Sequence, residues 1–276
     1  MAATTVRHPA VAGRFYPGDA EVLRENLRNY LLPSETQKPI RALGCMAPHA
    51  GYAYSGHVAG AVFAGIEIPE LCLVLCPNHT GIGQPLAIVS GGAWETPLGE
   101  VSIDSQFASA LTQRFPLLNE DSAAHRNEHA AEVELPFLQV RQPRLRFVPI
   151  AIGTGKFEVL EQLGEAIADV LATENTPALI VASSDMNHYE SDAVTRVKDQ
   201  TAIAAILRLD APALFEIVTQ RHVSMCGFGP AIAMLTAAKK LGARSAELVK
   251  YATSGDVSGD RDLVVGYAGI VVAAPR

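Results

Sequence analysis

No apolar run in this chain is long enough to cross a membrane. The longest, 263–274, spans 12 residues and carries two glycines, whereas a spanning helix needs about 18 or more. No basic segment followed by an apolar core opens the sequence, so no secretory signal is read and a cytoplasmic location is the expectation. Lys and Arg nowhere cluster, and 22 basic against 29 acidic residues give a net charge of −7. Nucleic acid and membrane are therefore excluded as expected partners. The four cysteines form neither a disulfide framework nor a Cys-x-x-Cys zinc site. Three of them, Cys45, Cys72 and Cys76, sit in apolar runs of strand length, where a thiol behaves as a small hydrophobe. Proline, glycine and serine nowhere gather into a linker, and no repeat is present, so 1–276 reads as one domain.

Aromatics make up only 6% of the chain, which leaves Ala, Val, Ile and Leu to build the core. Such composition suits a sheet covered by helices on both faces. A hydrophobic content of 49% with 18% charged residues excludes a disordered chain. Apolar runs of strand length alternate with helical patterns, which predicts an α/β fold with a mostly parallel central sheet flanked by helices. Leu23, Leu27 and Leu31 recur every four residues behind Asp19, predicting a capped helix over 20–32. Further helices are expected over 57–66, 106–114, 128–139, 158–172, 194–209, 212–220 and 230–241. Strands are expected over 86–90, 101–103, 146–152, 246–252 and 263–273, with a loop over 253–262. Thr96-Pro97-Leu98-Gly99 reads as a hairpin turn.

Three apolar runs stop abruptly in short polar loops that carry a histidine. The run ending at Ala47 enters Pro48-His49-Ala50-Gly51, and the run ending at Cys76 enters Pro77-Asn78-His79-Thr80-Gly81. The third, ending at Ala182, enters Ser183-Ser184-Asp185-Met186-Asn187-His188. Open α/β sheets bind ligands beyond the carboxyl ends of their strands, so three histidines delivered there can converge. Imidazole is both a common metal ligand and a proton carrier near neutral pH. The pattern thus points to a metal-dependent or acid–base site. Proline stops each of the first two strands and glycine allows the sharp turn, which holds His49 and His79 rigidly, as metal ligands require.

Asp185 and His188 share one loop. A carboxylate near an imidazole fixes its tautomer, so His188 is a third ligand or a general base, with Asp185 as its orienting or catalytic partner. Cys226 differs from the other thiols, lying in Ser224-Met225-Cys226-Gly227-Phe228-Gly229-Pro230 ahead of the helix expected from 230. A helix start stabilises thiolate, which suits a metal ligand or a nucleophile. His129 and Glu132 stand three apart and are expected on one helix face, either supporting the ligands or pairing at the surface.

Taken together, these motifs resemble the Memo-like family, also called AmmeMemoRadiSam system protein B. The resemblance rests on the segment from Pro9 to Pro17, on Ala47 to Gly56, on Pro77-Asn78-His79 and on Thr96 to Gly99. It continues through Glu128-His129, Leu135 to Leu138, Ser183-Ser184-Asp185 with His188, and Cys226-Gly227. The family is similar in fold to class III extradiol dioxygenases, whose iron is held by two histidines and a carboxylate. The resemblance implies His49 and His79 as ligands, Cys226 in place of the carboxylate, and His188 as the acid–base histidine. One transition-metal ion is then expected, iron(II) first, with copper or zinc as alternatives because thiolate is a softer donor. A thiolate beside activated oxygen is oxidisable, so weak ring cleavage is expected. This chain has Ala130-Ala131 after His129, where the family usually has Ser and an aliphatic residue. The resemblance also implies a small-molecule or peptide ligand in the cleft and association with a radical-SAM protein and an AMMECR-type protein. Three functions stay open: a mononuclear iron or copper redox enzyme, a non-catalytic metal-handling or peptide-binding scaffold, and a zinc-dependent hydrolase.

Overall fold

Strands form where aliphatic residues run unbroken, and each run ends at a proline, a glycine or a polar cluster. A computed structural model describes residues 5–32 and 38–275. The first half runs β1 (Val6–Arg7), α1 (Ala20–Tyr30), β2 (Ala42–Ala47), α2 (Tyr52–Ala64), β3 (Leu71–Pro77), β4 (Leu86–Ile88), β5 (Ala93–Thr96), β6 (Gly99–Ile103), α3 (Ser105–Arg114), β7 (Asn119–Glu120) and α4 (Ala123–Arg126). There follow α5 (Ala130–Arg141), β8 (Arg146–Ile152), α6 (Phe157–Glu174), β9 (Ala178–Ser183), β10 (His188–Glu190), α7 (Asp192–Leu207), α8 (Ala211–Gln220), α9 (Phe228–Lys240), β11 (Ala246–Thr253), α10 (Ser254–Ser258) and β12 (Val264–Ala273).

The strands form one mixed sheet in the order β1-β5-β6-β8-β3-β9-β2-β12-β10, with β11 on β12 and β4 on β8. Its centre, β6-β8-β3-β9-β2, is parallel throughout. Antiparallel pairs flank it: β2–β12–β10 on one side and the β5–β6 hairpin on the other, the latter where Thr-Pro-Leu-Gly predicts it. Both faces are covered, and β3 shows how. Leu71, Leu73 and Leu75 point into the core beneath α3, α6, α8 and α9, whereas Cys72, Val74 and Cys76 pack with α1, α2 and α5. A strand buried on both faces needs this continuous apolar run. The fold is thus the single α/β domain expected, with its three histidine-bearing strands β3, β9 and β2 side by side. No helix among the described residues is long and apolar enough to cross a membrane.

Local chemistry sets several boundaries. Asp19, Asp104 and Asp210 each accept backbone N–H bonds at a helix start. The helix expected over 57–66 begins five residues earlier, at Tyr52, because Gly51 caps it and the Ser55-Gly56 pair is tolerated inside it. The loop expected over 253–262 contains α10, closed by a reciprocal capping box between Thr253 and Asp256. The helix expected from 230 begins at Phe228, and the one expected from 128 begins at Ala130.

Candidate metal centre

The site grows from the carboxyl ends of three adjacent strands. Ala47 of β2 is level with Ser183 of β9, and Leu75 of β3 with Ala182, so the loops after them open on the same side. Asp185, in the β9 loop, ties two of these loops together: its Oδ1 accepts the backbone N–H groups of His49 at 2.9 Å and Ala50 at 3.3 Å. The Cys226 loop arrives from the start of α9. It passes so close to β9 that any side chain at Gly227 would strike the Ser183 carbonyl and the Ser184 side chain. That contact requires glycine, and the Gly227 N–H donates to Ser184 Oγ at 3.0 Å. The result is a cleft of about 620 Å³ lined by His49, His79, His129, Asp185, His188 and Cys226, with Phe15 and Tyr189 beside them.

Three of the four imidazoles are hydrogen-bonded through Nδ1. His49 Nδ1 lies 2.8 Å from Ser183 Oγ, and His79 Nδ1 lies 2.9 Å from Glu128 Oε1. His129 Nδ1 is 3.4 Å from the same Glu128 oxygen, and His188 Nδ1 donates to the Ser224 carbonyl at 2.8 Å. The Nε2 atoms are left for the cleft, and that of His49 lies 3.4 Å from Cys226 Sγ. His49, His79 and His129 each offer a ring nitrogen within 4.8 Å of the others, a grouping able to hold a metal ion. Their rings also meet directly, at centroid distances of 5.1, 5.4 and 4.8 Å.

Electrostatics favour the neutral form, which a metal needs, at His49, His129 and His188. Burial, then the neighbouring histidines, holds His49 well below its ordinary value. Burial also lowers His129 and His188. Neutral imidazole with a free Nε2 is the ligating species. Burial works on Glu128 in the opposite sense, but the bonds from His79 and from the Ala130 N–H outweigh it and leave the carboxyl below its usual range. Asp185 is pushed up to about 7, burial outweighing its two backbone N–H bonds. It therefore holds or releases a proton near neutrality.

The expectation of a helix-stabilised thiolate at Cys226 is not met. Burial, and next the charge of Asp185, push this thiol above its ordinary value, although the Asp185 N–H points at Sγ from 3.2 Å. Helix α9 starts two residues beyond the sulfur, and its Gly227 N–H is spent on Ser184. A bound cation is then what would ionise Cys226, since coordination deprotonates a thiol outright.

Of the residues picked out in the sequence, His49, His79, Cys226, His188, Asp185 and His129 all line the cleft. Glu132 does not join them. Its buried carboxylate accepts from Arg7 at 2.8 Å, from the N–H groups of Ala10 and Val11, and from Tyr16 Oη at 2.7 Å. The two side chains part because the His129 ring packs against those of His49 and His79, whereas Glu132 is claimed by Arg7, Tyr16 and the N-terminal backbone. Asp185 does not orient His188 either; Ser224 does so through both its carbonyl and its hydroxyl. Sequence reasoning missed Glu128 as the residue that holds His79 and His129. Its position beside a histidine ahead of a helix is the signal that was available.

The parallel-centred α/β sheet, with a histidine and thiol cleft beyond its central strands, defines the class of protein. The family profile described as Memo-like protein matches residues 7–271, and the chain belongs to that family. It is 46% identical over 277 residues to a MEMO1 family protein of Methanopyrus kandleri, covering 96% of this chain and 98% of that one. A MEMO1 family protein of Aquifex aeolicus is 43% identical over 268 residues, with coverage of 96% and 98%. A crystal structure of an uncharacterised Escherichia coli K12 protein aligns with a TM-score of 0.51 at 12% identity, covering 82% of this chain and 99% of that one, and shows the fold alone.

Proposed function

We propose that the cleft binds one transition-metal ion through His49, His79 and Cys226, with His129 beside them, and presents it to a small-molecule or peptide ligand. The observation that carries this reading is the anchoring of His49 and His79 through Nδ1, which leaves their Nε2 atoms and one sulfur for the same space. A donor set of imidazoles and one thiol suits iron(II), copper or zinc and disfavours magnesium or calcium. When bound, the ion would supply Lewis-acid or one-electron chemistry, and the redox reading is preferred to the hydrolytic one by resemblance to the dioxygenase fold.

The chain's own residues supply the rest. His188, oriented by Ser224, offers Nε2 to a proton on the bound ligand. Asp185, with an ordinary carboxyl pushed up to about 7, is the second group able to hold that proton. Phe15 and Tyr189 line the cleft and offer aromatic surface to a ligand. The test is elemental analysis after anaerobic purification. A near-stoichiometric transition metal in the unaltered protein, absent from His49→Ala, supports the reading; equal and negligible metal in both rejects it. Oxygen uptake with catechols then separates redox turnover from metal handling.

A further inference from the structure

Behind His49 lies a buried acid that no step above uses. Glu134, on α5, is fully buried, and its Oε2 has no hydrogen-bond partner. Its Oε1 lies 2.8 Å from Ser183 Oγ, which in turn lies 2.8 Å from His49 Nδ1 and 2.8 Å from the Ala130 carbonyl. Ala130 and Glu134 are one helical turn apart, so a single face of α5 presents both groups to this hydroxyl.

Counting protons settles how these contacts are used. A serine hydroxyl donates once and accepts twice, and a carbonyl only accepts. Ser183 therefore gives its hydrogen to Ala130 and accepts from both His49 and Glu134. Glu134 is then the carboxylic acid, with its hydrogen on Oε1. A bare carboxylate here would leave a buried charge facing nothing through Oε2, whereas a neutral carbonyl oxygen tolerates that better. Burial pushes Glu134 well above its ordinary value, in the same direction.

We propose that Glu134 is a positioning residue for His49: as a neutral acid it donates to Ser183 Oγ and leaves that oxygen as an acceptor for His49 Nδ1–H. The imidazole is thereby locked with its Nε2 lone pair aimed into the cleft before any ligand arrives. Hydrogen bonding of the second nitrogen commonly sets tautomer and ligand strength in this way. The inference deepens the metal-site reading above, but its first readout does not depend on a metal.

The test uses full-length, metal-free protein with nitrogen-15 labelled histidine. The unaltered chain is expected to show His49 protonated at Nδ1. Glu134→Gln, a neutral isostere that still donates, keeps that tautomer and binds added zinc within about twofold of the parent. Glu134→Leu fills the space without a donor; Ser183 Oγ loses a bond that holds its rotamer, its hydroxyl can then swing from the Ala130 carbonyl to donate to His49, the tautomers mix, and zinc affinity falls about tenfold to hundredfold. Should Glu134→Leu fail to fold, Ser183→Ala breaks the same link and is expected to mix the tautomers too. The inference is overturned if the parent carries its proton on Nε2, or if whichever breaking variant folds leaves the tautomer unchanged. It is equally overturned if folded Glu134→Gln loses as much affinity as Glu134→Leu, since a carboxylate charge would then be what matters. Failure of the parent to bind zinc, with His49 still protonated at Nδ1, would reject the metal site and leave the tautomer lock standing.

Discussion

Glu128 grips His79 twice: one carboxylate oxygen accepts its backbone N–H at 2.6 Å and the other faces its Nδ1 at 2.9 Å. The second oxygen also meets His129, so one buried acid sets two of the converging rings. Glu128→Ala is expected to weaken metal binding about tenfold to hundredfold, as loss of such outer partners commonly does. Chelator-competition titration measures it. Affinity equal to the parent would mean that the rings hold their places without the carboxylate.

His188 stands outside the group of three histidines whose ring nitrogens lie within 4.8 Å of one another. His188→Ala is therefore expected to leave metal content unchanged while His49→Ala brings it to background. Elemental analysis of the two variants side by side decides the matter. Equal losses would make His188 a ligand.

Cys226 should be sluggish toward alkylation in metal-free protein at neutral pH, because burial keeps it as thiol. Labelling followed by mass spectrometry should show the rate rising only well into the alkaline range. Cys226→Ser should hold metal weakly, a hydroxyl being a poor ligand for soft ions. Fast labelling at neutral pH would restore the helix-stabilised thiolate expected from the sequence.

Glu132 has a structural task. Its removal strands the Arg7 guanidinium, which is only about one-tenth exposed, and frees the N-terminal segment from α5. Glu132→Ala is expected to cost about 3–5 kcal/mol, as breaking a buried ion pair does. Denaturant unfolding measures the loss. Metal content at matched folded concentration should stay that of the parent.

His125 gives the stability a predictable pH dependence. Burial lowers it from 6.5 to about 4. As pH falls from 6.5 toward 4, the unfolded chain therefore takes up a proton that the folded chain refuses, and stability declines across that window. His125→Leu should flatten the decline by at most about 1.4 kcal/mol per pH unit. Trp94, the sole tryptophan, lies 5.6 Å from the His125 ring and reports unfolding by fluorescence. Identical slopes in parent and variant would show that His125 titrates alike in both states.

The sheet and the convergence of histidines were legible because both rest on local signals. Apolar runs stopped by Pro48 and Pro77 mark strand ends, and parallel strands put those ends on one side. What the sequence hid depends on who lies opposite. The three-residue spacing of His129 and Glu132 gives no sign that Arg7, Tyr16 and the backbone of Ala10 and Val11 claim the Glu132 carboxylate. Ser183 reads as the first residue of the polar loop after the third apolar run, and nothing local reveals that Glu134 and His49 meet at its hydroxyl. Likewise Tyr189 owes its place at the cleft mouth to a bulge between His188 and Glu190, with φ at 60°. Periodicity carries no trace of such a kink.

The last strand of the chain sits inside the sheet, between β2 and β10, where it braces the segment bearing His188. A break in the β12 pairing would therefore be felt inside the cleft, whose lining includes Val265 of that same strand. The pocket is in this way a property of the whole sheet, and a substitution far from every donor group can spoil it.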